Sequence, residues 1–369
     1  MKVGLLSLDN EQALLGDAYR EAFNRVLTSG RFILGEEVER FERACEAYLG
    51  VKHAIGVSSG TDAILIALMA MDIGPGDEVL CPAFTFFATA GCIVRLGATP
   101  VWVDADSDTY NLSLTDAAKK VTPRTRAILP VPLFGQAYDV DALMAFANEH
   151  KIAVVEDFAQ SWGTRFKGRC VGTFGTIGAT SFFPTKNLGG FGDSGLVVTN
   201  DDRLGQKLLS LRTHGSLKRY YHDYVGGNFR IDALQAALLA CKLPHVDNWI
   251  RQRRAHAAFY TKNLTGLAWL RLPRETPETF HTWNQFTVRV LDGHRDALKA
   301  FLAEREIQAE VYYPLSLDQQ VCFQANTHGA ETISVAHTLN REVLSLPIHP
   351  ELTEDQMAFV MDSIRAFKH

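Results

Sequence analysis

Between residues 54 and 200, seven short and almost wholly apolar runs alternate with stretches of helical periodicity, and that alternation leaves few architectures open. The runs are AIGV (54–57), EVLCP (78–82), PVWVD (100–104), RAILPV (126–131), IAVVED (152–157), GATSFF (178–183) and GLVVTN (195–200). A strand that is apolar in successive positions must be covered on both faces. Helical patterns at roughly 61–71, 86–96 and 139–150 supply the cover. Such alternation predicts an α/β fold: a three-layer α/β/α large domain built on a mostly parallel sheet with right-handed crossovers. Ligands of these sheets collect at the carboxyl ends of the strands, so polar residues ending a run are the first candidates for function.

The flanks add helices. Residues 10–29 carry Leu14, Leu15, Ala18, Ala22 and Val26 at helical spacing, and residues 36–49 carry Val38, Phe41, Cys45 and Tyr48, with Gly50 placed as a C-cap. A helix is expected at 201–213, and a long helical stretch at 231–262 that Pro244 must kink or break. Strand FTVRV, helix HRDALKAFLAERE and a last amphipathic helix TEDQMAFVMDSIRAF then form a smaller α/β domain. The expected division is residues 1–250 for the N-terminal segment and large domain and 251–369 for the smaller C-terminal domain. Residues 5–50 are expected to pack against the smaller domain or a partner. A net charge of −5 with interspersed signs argues against nucleic-acid binding. Arg251, Arg253 and Arg254, the densest basic cluster, read as a solvated helix face. The opening MKVGLLSLDN holds no apolar core of signal-peptide length and no apolar run reaches a membrane span, so a cytoplasmic protein with no membrane contact is expected. The six cysteines form no CxxC pair and no metal-ligand spacing; they read as reduced and structural, with no metal site expected.

Four segments carry chemistry. Asp157 ends IAVVED, and a carboxylate emerging from a buried strand is costly unless paired. Alone it reads as a salt bridge or helix cap, or else as the partner of a protonated heterocyclic nitrogen. Lys186 lies in SFFPTKNLGGFGDSG, after a strand and before a glycine-rich loop, with Ser181 five residues earlier. A turn lysine is ordinarily a surface charge, but one desolvated beside other groups loses basicity and becomes a nucleophile. In VSSGTDAILIAL a strand runs into Ser-Gly-Thr and a helix begins; Gly60 and Thr61 suit a phosphate at the helix N-terminus, although the same residues are common N-caps. In PAFTFFAT, three phenylalanines follow a strand end; most read as core, and one could stack on a flat ring.

Taken in order, these motifs resemble the DegT/StrS family of sugar aminotransferases, pyridoxal-phosphate (PLP) enzymes of the aspartate-aminotransferase fold, fold type I. The resemblance runs over nearly the whole chain: SGRFILGEEVERFE, GVSSGTDAI, PAFTFFAT, VPLFGQAYDVDAL, VVEDFAQSWG, SFFPTKNLGGFGDSG, GGNFRIDALQAAL and LSLPIHPELTEDQ. It implies the following roles. Lys186 holds PLP as a Schiff base and later shuttles a proton, while Asp157 pairs with the pyridine nitrogen. Gln160 sits near the 3-hydroxyl, and Phe86 stacks on the ring. Gly60, Thr61 and Ser181 bind the phosphate. Asn228 reaches the phosphate from a neighbouring subunit, which makes a homodimer with shared sites. Arg230 and Gln235, in the same motif, read as structural. Tyr313 and His349 are candidate contacts to the substrate, a nucleotide-linked keto sugar, with glutamate as amino donor. VPLFGQAYD and PTKNLGG lean toward a 3-keto sugar. The product would be an amino sugar for polysaccharide or related biosynthesis.

Three segments depart from the family pattern. GDSG puts Ser194 in a usual glycine position, Phe158 and Trp162 stand where smaller or more polar residues are common, and AEVYYPLSLDQQ lacks the usual histidine. The second departure is expected to change how the cofactor ring is walled. Rival readings are a PLP-dependent sugar dehydratase, whose relatives carry histidine where this chain has Lys186, and a non-catalytic PLP-binding regulator.

Overall fold

The structure is a computed structural model and describes residues 1–368. Two helices open the chain, α1 (Asp9–Ser29) and α2 (Glu36–Leu49), and Gly50 closes α2 at φ 70°. The alternating region follows as β1 (His53–Val57), α3 (Gly60–Ala70), β2 (Glu78–Pro82), α4 (Phe87–Arg95), β3 (Thr99–Val103), α5 (Leu114–Ala117), β4 (Thr125–Ile128), α6 (Val140–His150) and β5 (Ala153–Asp157). A small hairpin, β6 (Arg165–Phe166) and β7 (Arg169–Cys170), precedes β8 (Ile177–Ser181) and β9 (Gly195–Thr199). Then come α7 (Asp202–Arg212), α8 (Ala233–Lys242) and α9 (Val246–Leu264), with the expected break at Pro244 falling in a 3-10 turn. The last stretch holds β10 (Leu270–Arg271), β11 (Thr279–Phe280), β12 (Phe286–Val290), α10 (Arg295–Glu304), α11 (Val335–Glu342), β13 (Val343–Leu346) and α12 (Glu354–Ala366).

All seven apolar runs become strands of one sheet, in the order β1-β9-β8-β5-β4-β2-β3. Neighbours from β8 to β3 pair parallel, and β9 alone runs against its neighbours. The cause is the connection. A parallel neighbour needs a crossover, usually helical, whereas the glycine-rich loop after β8 returns without a helix and can close only an antiparallel pair. Alternate side chains go to opposite faces. Leu80, Val101, Val103, Ile128, Val154, Leu196 and Val198 join one core, and Val79, Cys81, Trp102, Ala127, Val155, Ile177 and Val197 join the other.

The N-terminal helices differ from expectation. Both α1 and α2 lie on α8, and α2 also on β1, so they cover the large sheet rather than the smaller lobe. Small residues Ala233, Ala236 and Ala237 on α8 let them approach closely. Only the first residues reach the other lobe: Val3 pairs with Ile307, and Ser7 Oγ and the Glu11 N–H donate to the Glu351 carboxylate. Leu14, placed on the inner face by periodicity, is exposed, and Tyr19 takes its place inside.

A third core joins β10, β12 and β13 to α10, α12 and the last turns of α9. Helix α9 spans two cores, with Val246 and Ile250 in the first and Ala257, Tyr260 and Leu264 in the third. The reading of Arg253 as solvated fails. It is buried on α9, and its Nη1 donates to the carbonyls of Trp283, Asn284 and Ile348, at 2.6 Å for the last. Burial pulls its pKa down to about 10. Among the described residues no helix is long and apolar enough to cross a membrane, and no cluster of His, Cys, Asp and Glu could hold a metal.

Phe41, fully buried, meets Phe182 edge-on at 5.5 Å and ties α2 to the strand that leads to Lys186. Truncating a buried phenylalanine leaves a cavity as well as lost apolar burial. Phe41→Ala is expected to destabilise the protein by about 3–5 kcal/mol, measured as a lowered midpoint of chemical unfolding.

Candidate active site

Asp157 occupies the last position of β5 and Ser181 the last of β8, neighbouring parallel strands, so both emerge at the sheet's carboxyl edge. Asp157 is buried. Its Oδ2 accepts from Thr89 Oγ1 at 2.9 Å and its Oδ1 from the Ala159 N–H at 3.2 Å. Burial raises its pKa, while the Thr89 hydroxyl, the Ala159 N–H and the charge of Lys186 act in the opposite direction. Lys186 shows the matching perturbation. Desolvation lowers its amine to about 8, against the pull of Asp157, which favours the charged form. A cation and a carboxylate are thus held within each other's field at the end of the sheet, with no direct hydrogen bond consuming either.

Gly60 begins α3, and Ser59, the N-cap, accepts from the Asp62 N–H. A Cβ on Gly60 would lie 2.5 Å from Ser181 Cβ, so only glycine lets the helix N-terminus close on the Ser181 side chain. Thr61, the next residue, is part-buried in this first turn. The free N–H groups of that turn and the Ser181 hydroxyl together form a concave donor set suited to a dianion. Gln160 is buried; its Oε1 accepts from the Phe134 N–H at 2.9 Å and its Nε2 donates to Tyr313 Oη at 2.8 Å. Tyr313 stands edge-on to Phe84 at 5.9 Å and 6.3 Å from Phe86, whose ring is exposed. Burial raises the Tyr313 phenol well above its usual value, so it stays protonated.

The lysine loop is pinned from behind. The Phe191 N–H donates to Gln235 Oε1, and the Phe191 ring lies against Lys242 Nζ at 4.9 Å and Tyr19 at 5.0 Å. Gln235 therefore holds the loop, in line with its structural reading. Ser194 is buried with its Oγ packed toward Gly190.

Asp157, Gln160, Ser181, Lys186, Gly60, Thr61, Phe86 and Tyr313 thus share one region. Asn228 and His349 remain. Asn228 is exposed in a groove lined by Ser58, Asp193, Arg230 and Gln235, beside the end of β1. His349 is buried with Arg253, His256 and Glu351, where desolvation lowers its imidazole to about 4. Phe158 and Trp162 do not wall the site. Both are buried, Trp162 stacked on Tyr48 at 5.4 Å and Phe158 pressed against Gly172, so they belong to the core beneath it. Thr89 escaped the sequence reading, which took PAFTFFAT for its rings. The signal was there in Thr85 and Thr89, two hydroxyls four residues apart at the start of a helix.

PLP fits these residues on grounds internal to the structure. A desolvated lysine supplies the amine, a buried carboxylate without a cationic partner in bonding contact faces it, and the Gly60–Ser181 cradle admits a phosphate where a Cβ would block it.

Comparison with known proteins bears on the same point. Residues 14–365 match the model of the DegT/DnrJ/EryC1/StrS aminotransferase family. A protein of Geobacillus stearothermophilus named pleiotropic regulatory protein is 44% identical over 369 residues, covering 100% of this chain and 99% of the relative. A UDP-N-acetyl-3-dehydro-alpha-D-glucosamine 3-aminotransferase of Acidithiobacillus ferrooxidans is 42% identical, covering 100% and 98%. The crystal structure of DesV from S. venezuelae in complex with a ketimine intermediate superposes with a TM-score of 0.94 at 41% identity, covering 99% of this chain and 98% of that one.

An amine near 8 sets a pH dependence. The charged form dominates below that value and the neutral, nucleophilic form above it. The rate at which cofactor-free protein takes up PLP covalently is therefore expected to rise with pH and level off above about 8, well short of the ordinary lysine value of 10.5. Stopped-flow absorbance checks this.

Proposed function

We propose that this chain, which belongs to the DegT/DnrJ/EryC1/StrS aminotransferase family, carries an amino group from glutamate to the 3-keto position of a nucleotide-linked hexose. It is a PLP-dependent aminotransferase acting on nucleotide-linked keto sugars. The observation that carries the reading is the opposed pair at the strand ends: a lysine amine kept near 8 by desolvation, facing a buried aspartate. The 3-position is supported by the name of the 3-aminotransferase relative and by VPLFGQAYD and PTKNLGG.

PLP supplies an electron-withdrawing ring that stabilises negative charge at the substrate carbon beside the nitrogen. The chain does the rest. Asp157 keeps the ring nitrogen protonated, and its burial strengthens that ion pair. The Lys186 amine would hold the cofactor covalently and, once freed, would take up and return the proton at the substrate carbon beside the nitrogen. Gly60, Thr61 and Ser181 would hold the phosphate, and Phe86 would cover a ring face. Gln160 would approach the 3-hydroxyl, and Tyr313, hydrogen-bonded to it, would then stand beside the incoming sugar. His349, buried among Arg253 and His256, is given no contact. Donor and acceptor use the same site in turn, in ping-pong order.

Asn228 serves a second copy on this reading. It is exposed beside Arg230, and Phe23, Leu27, Phe32 and Ile33 present apolar surface that a homodimer would bury. The enzyme works in the cytoplasm, where its six unpaired cysteines stay reduced. Its amino-sugar product serves polysaccharide or related biosynthesis. Although one relative carries a regulatory name, a lysine tuned toward nucleophilicity favours catalysis, and a lysine rather than a histidine at 186 favours amino transfer over dehydration.

Purified protein assayed with glutamate against a panel of nucleotide-linked 3-keto and 4-keto sugars tests the proposal. Turnover of a 3-keto sugar is expected; a colourless protein that takes up no PLP would sink it. Lys186→Ala should abolish transamination and the visible absorbance of the bound cofactor, and full turnover in that variant rules out the mechanism. Mixing inactive Lys186→Ala and Asn228→Ala chains should restore part of the activity through hybrid dimers. If the mixture stays inactive, Asn228 acts within its own subunit or not at all.

A further inference from the structure

We infer that Thr89, oriented by Thr85, is a positioning residue that fixes the Asp157 carboxylate and holds it ionised for the cofactor's ring nitrogen. The inference rests on the cofactor reading above and adds to it a residue which that reading does not need. Thr89 lies in the first turn of α4 and is fully buried, as is Thr85 just before the helix. Thr89 Oγ1 is 2.9 Å from Asp157 Oδ2 and 3.3 Å from Thr85 Oγ1.

The direction of this chain follows from proton inventory. An ionised carboxylate only accepts, so the single Thr89 hydroxyl proton goes to Asp157. Thr89 Oγ1 is then an acceptor toward Thr85, whose hydroxyl must donate. Both hydroxyls are out of solvent, so the order Thr85 to Thr89 to Asp157 is fixed rather than averaged with water. The Ala159 N–H holds the other carboxylate oxygen. Asp157 thereby has one donor on each oxygen, which sets its plane, and the hydroxyl donor opposes the burial that would otherwise protonate it.

The ionisable groups around Asp157 come from four elements. Cys81 on β2 and Cys92 on α4 are thiols pushed up by burial, the second to about 12. Tyr313 is a phenol pushed up likewise. None of these three ionises near neutrality. Lys186, on the loop after β8, is the remaining group, and it titrates near 8. The PLP phosphate also titrates on the acid side, but it is common to every variant, so a shift of the acid limit between variant and wild type reports Asp157.

The test titrates cofactor-free wild type, Thr89→Val, Thr89→Ser and Thr85→Val with PLP across the acid and neutral range, following binding by fluorescence quenching. Circular dichroism checks the fold. Loss of a hydrogen bond to a charged group should weaken PLP about tenfold at neutral pH in Thr89→Val. It should also move the acid limit of binding to higher pH, because the carboxylate without its donor takes a proton more readily. Thr89→Ser should restore both, and Thr85→Val should shift the same limit by less. An acid limit unmoved in a folded Thr89→Val overturns the inference, and so does a serine variant that fails to restore it. If Thr89→Val does not fold, an unmoved limit in Thr85→Val overturns it instead. Wild type that binds no PLP overturns the cofactor reading as well, which separates the two failures.

Discussion

An unpaired charge at the end of a buried strand is the constraint around which this molecule is arranged. Asp157 can sit at the carboxyl end of β5 only because its two oxygens have donors and a lysine amine lies within its field. Each of those partners requires something of the fold. The lysine needs a loop that returns to the sheet instead of leaving through a helix, so β9 runs antiparallel. The loop needs support from behind, which α8 gives through Gln235 and through Lys242 against Phe191. Helix α8 in turn is covered by α1 and α2. The N-terminal fifty residues thus act on the site at second hand, by backing the helix that backs the lysine loop.

Much of this was legible in the sequence because it is encoded by local pattern. Seven apolar runs became the seven sheet strands, since a run apolar in consecutive positions has no stable place except between two layers. The break at Pro244 and the cap at Gly50 follow from backbone sterics that no tertiary contact overrides. Asp157 and Lys186 stood out because their charges conflict with their surroundings. What local pattern does not encode is which face of an element finds a partner. Leu14 and Tyr19 both fit a helical stripe, and α8 selected the tyrosine. Arg253 looked like a solvated cation, and three backbone carbonyls from the segments around 284 and 348 made it a buried one. Phe158 and Trp162 were close in sequence to the site and yet point beneath it, because Gly172 and Tyr48 offer them a packed environment there.

Tyr313 shows how a site can draw on a segment whose position in the chain suggests a different lobe. The chain leaves the smaller lobe at Glu310, which pairs with Ser345 on β13. Four residues past Tyr313, the Leu317 N–H already donates to the Ala83 carbonyl at the end of β2. Further along, Trp102 Nε1 donates to the Asn326 carbonyl and Lys120 Nζ to the Gly329 carbonyl, while the Asp104 carboxylate accepts from the N–H groups of Ser334, Val335 and Ala336. Leu317, Phe323 and Ile333 join the core on that face of the large sheet. The excursion is therefore fastened to the large lobe along its length, and Tyr313 lies between one anchor on each lobe. The residues from Glu310 to Leu317 are thus one of the crossings between the lobes, and this crossing carries the phenol hydrogen-bonded to Gln160.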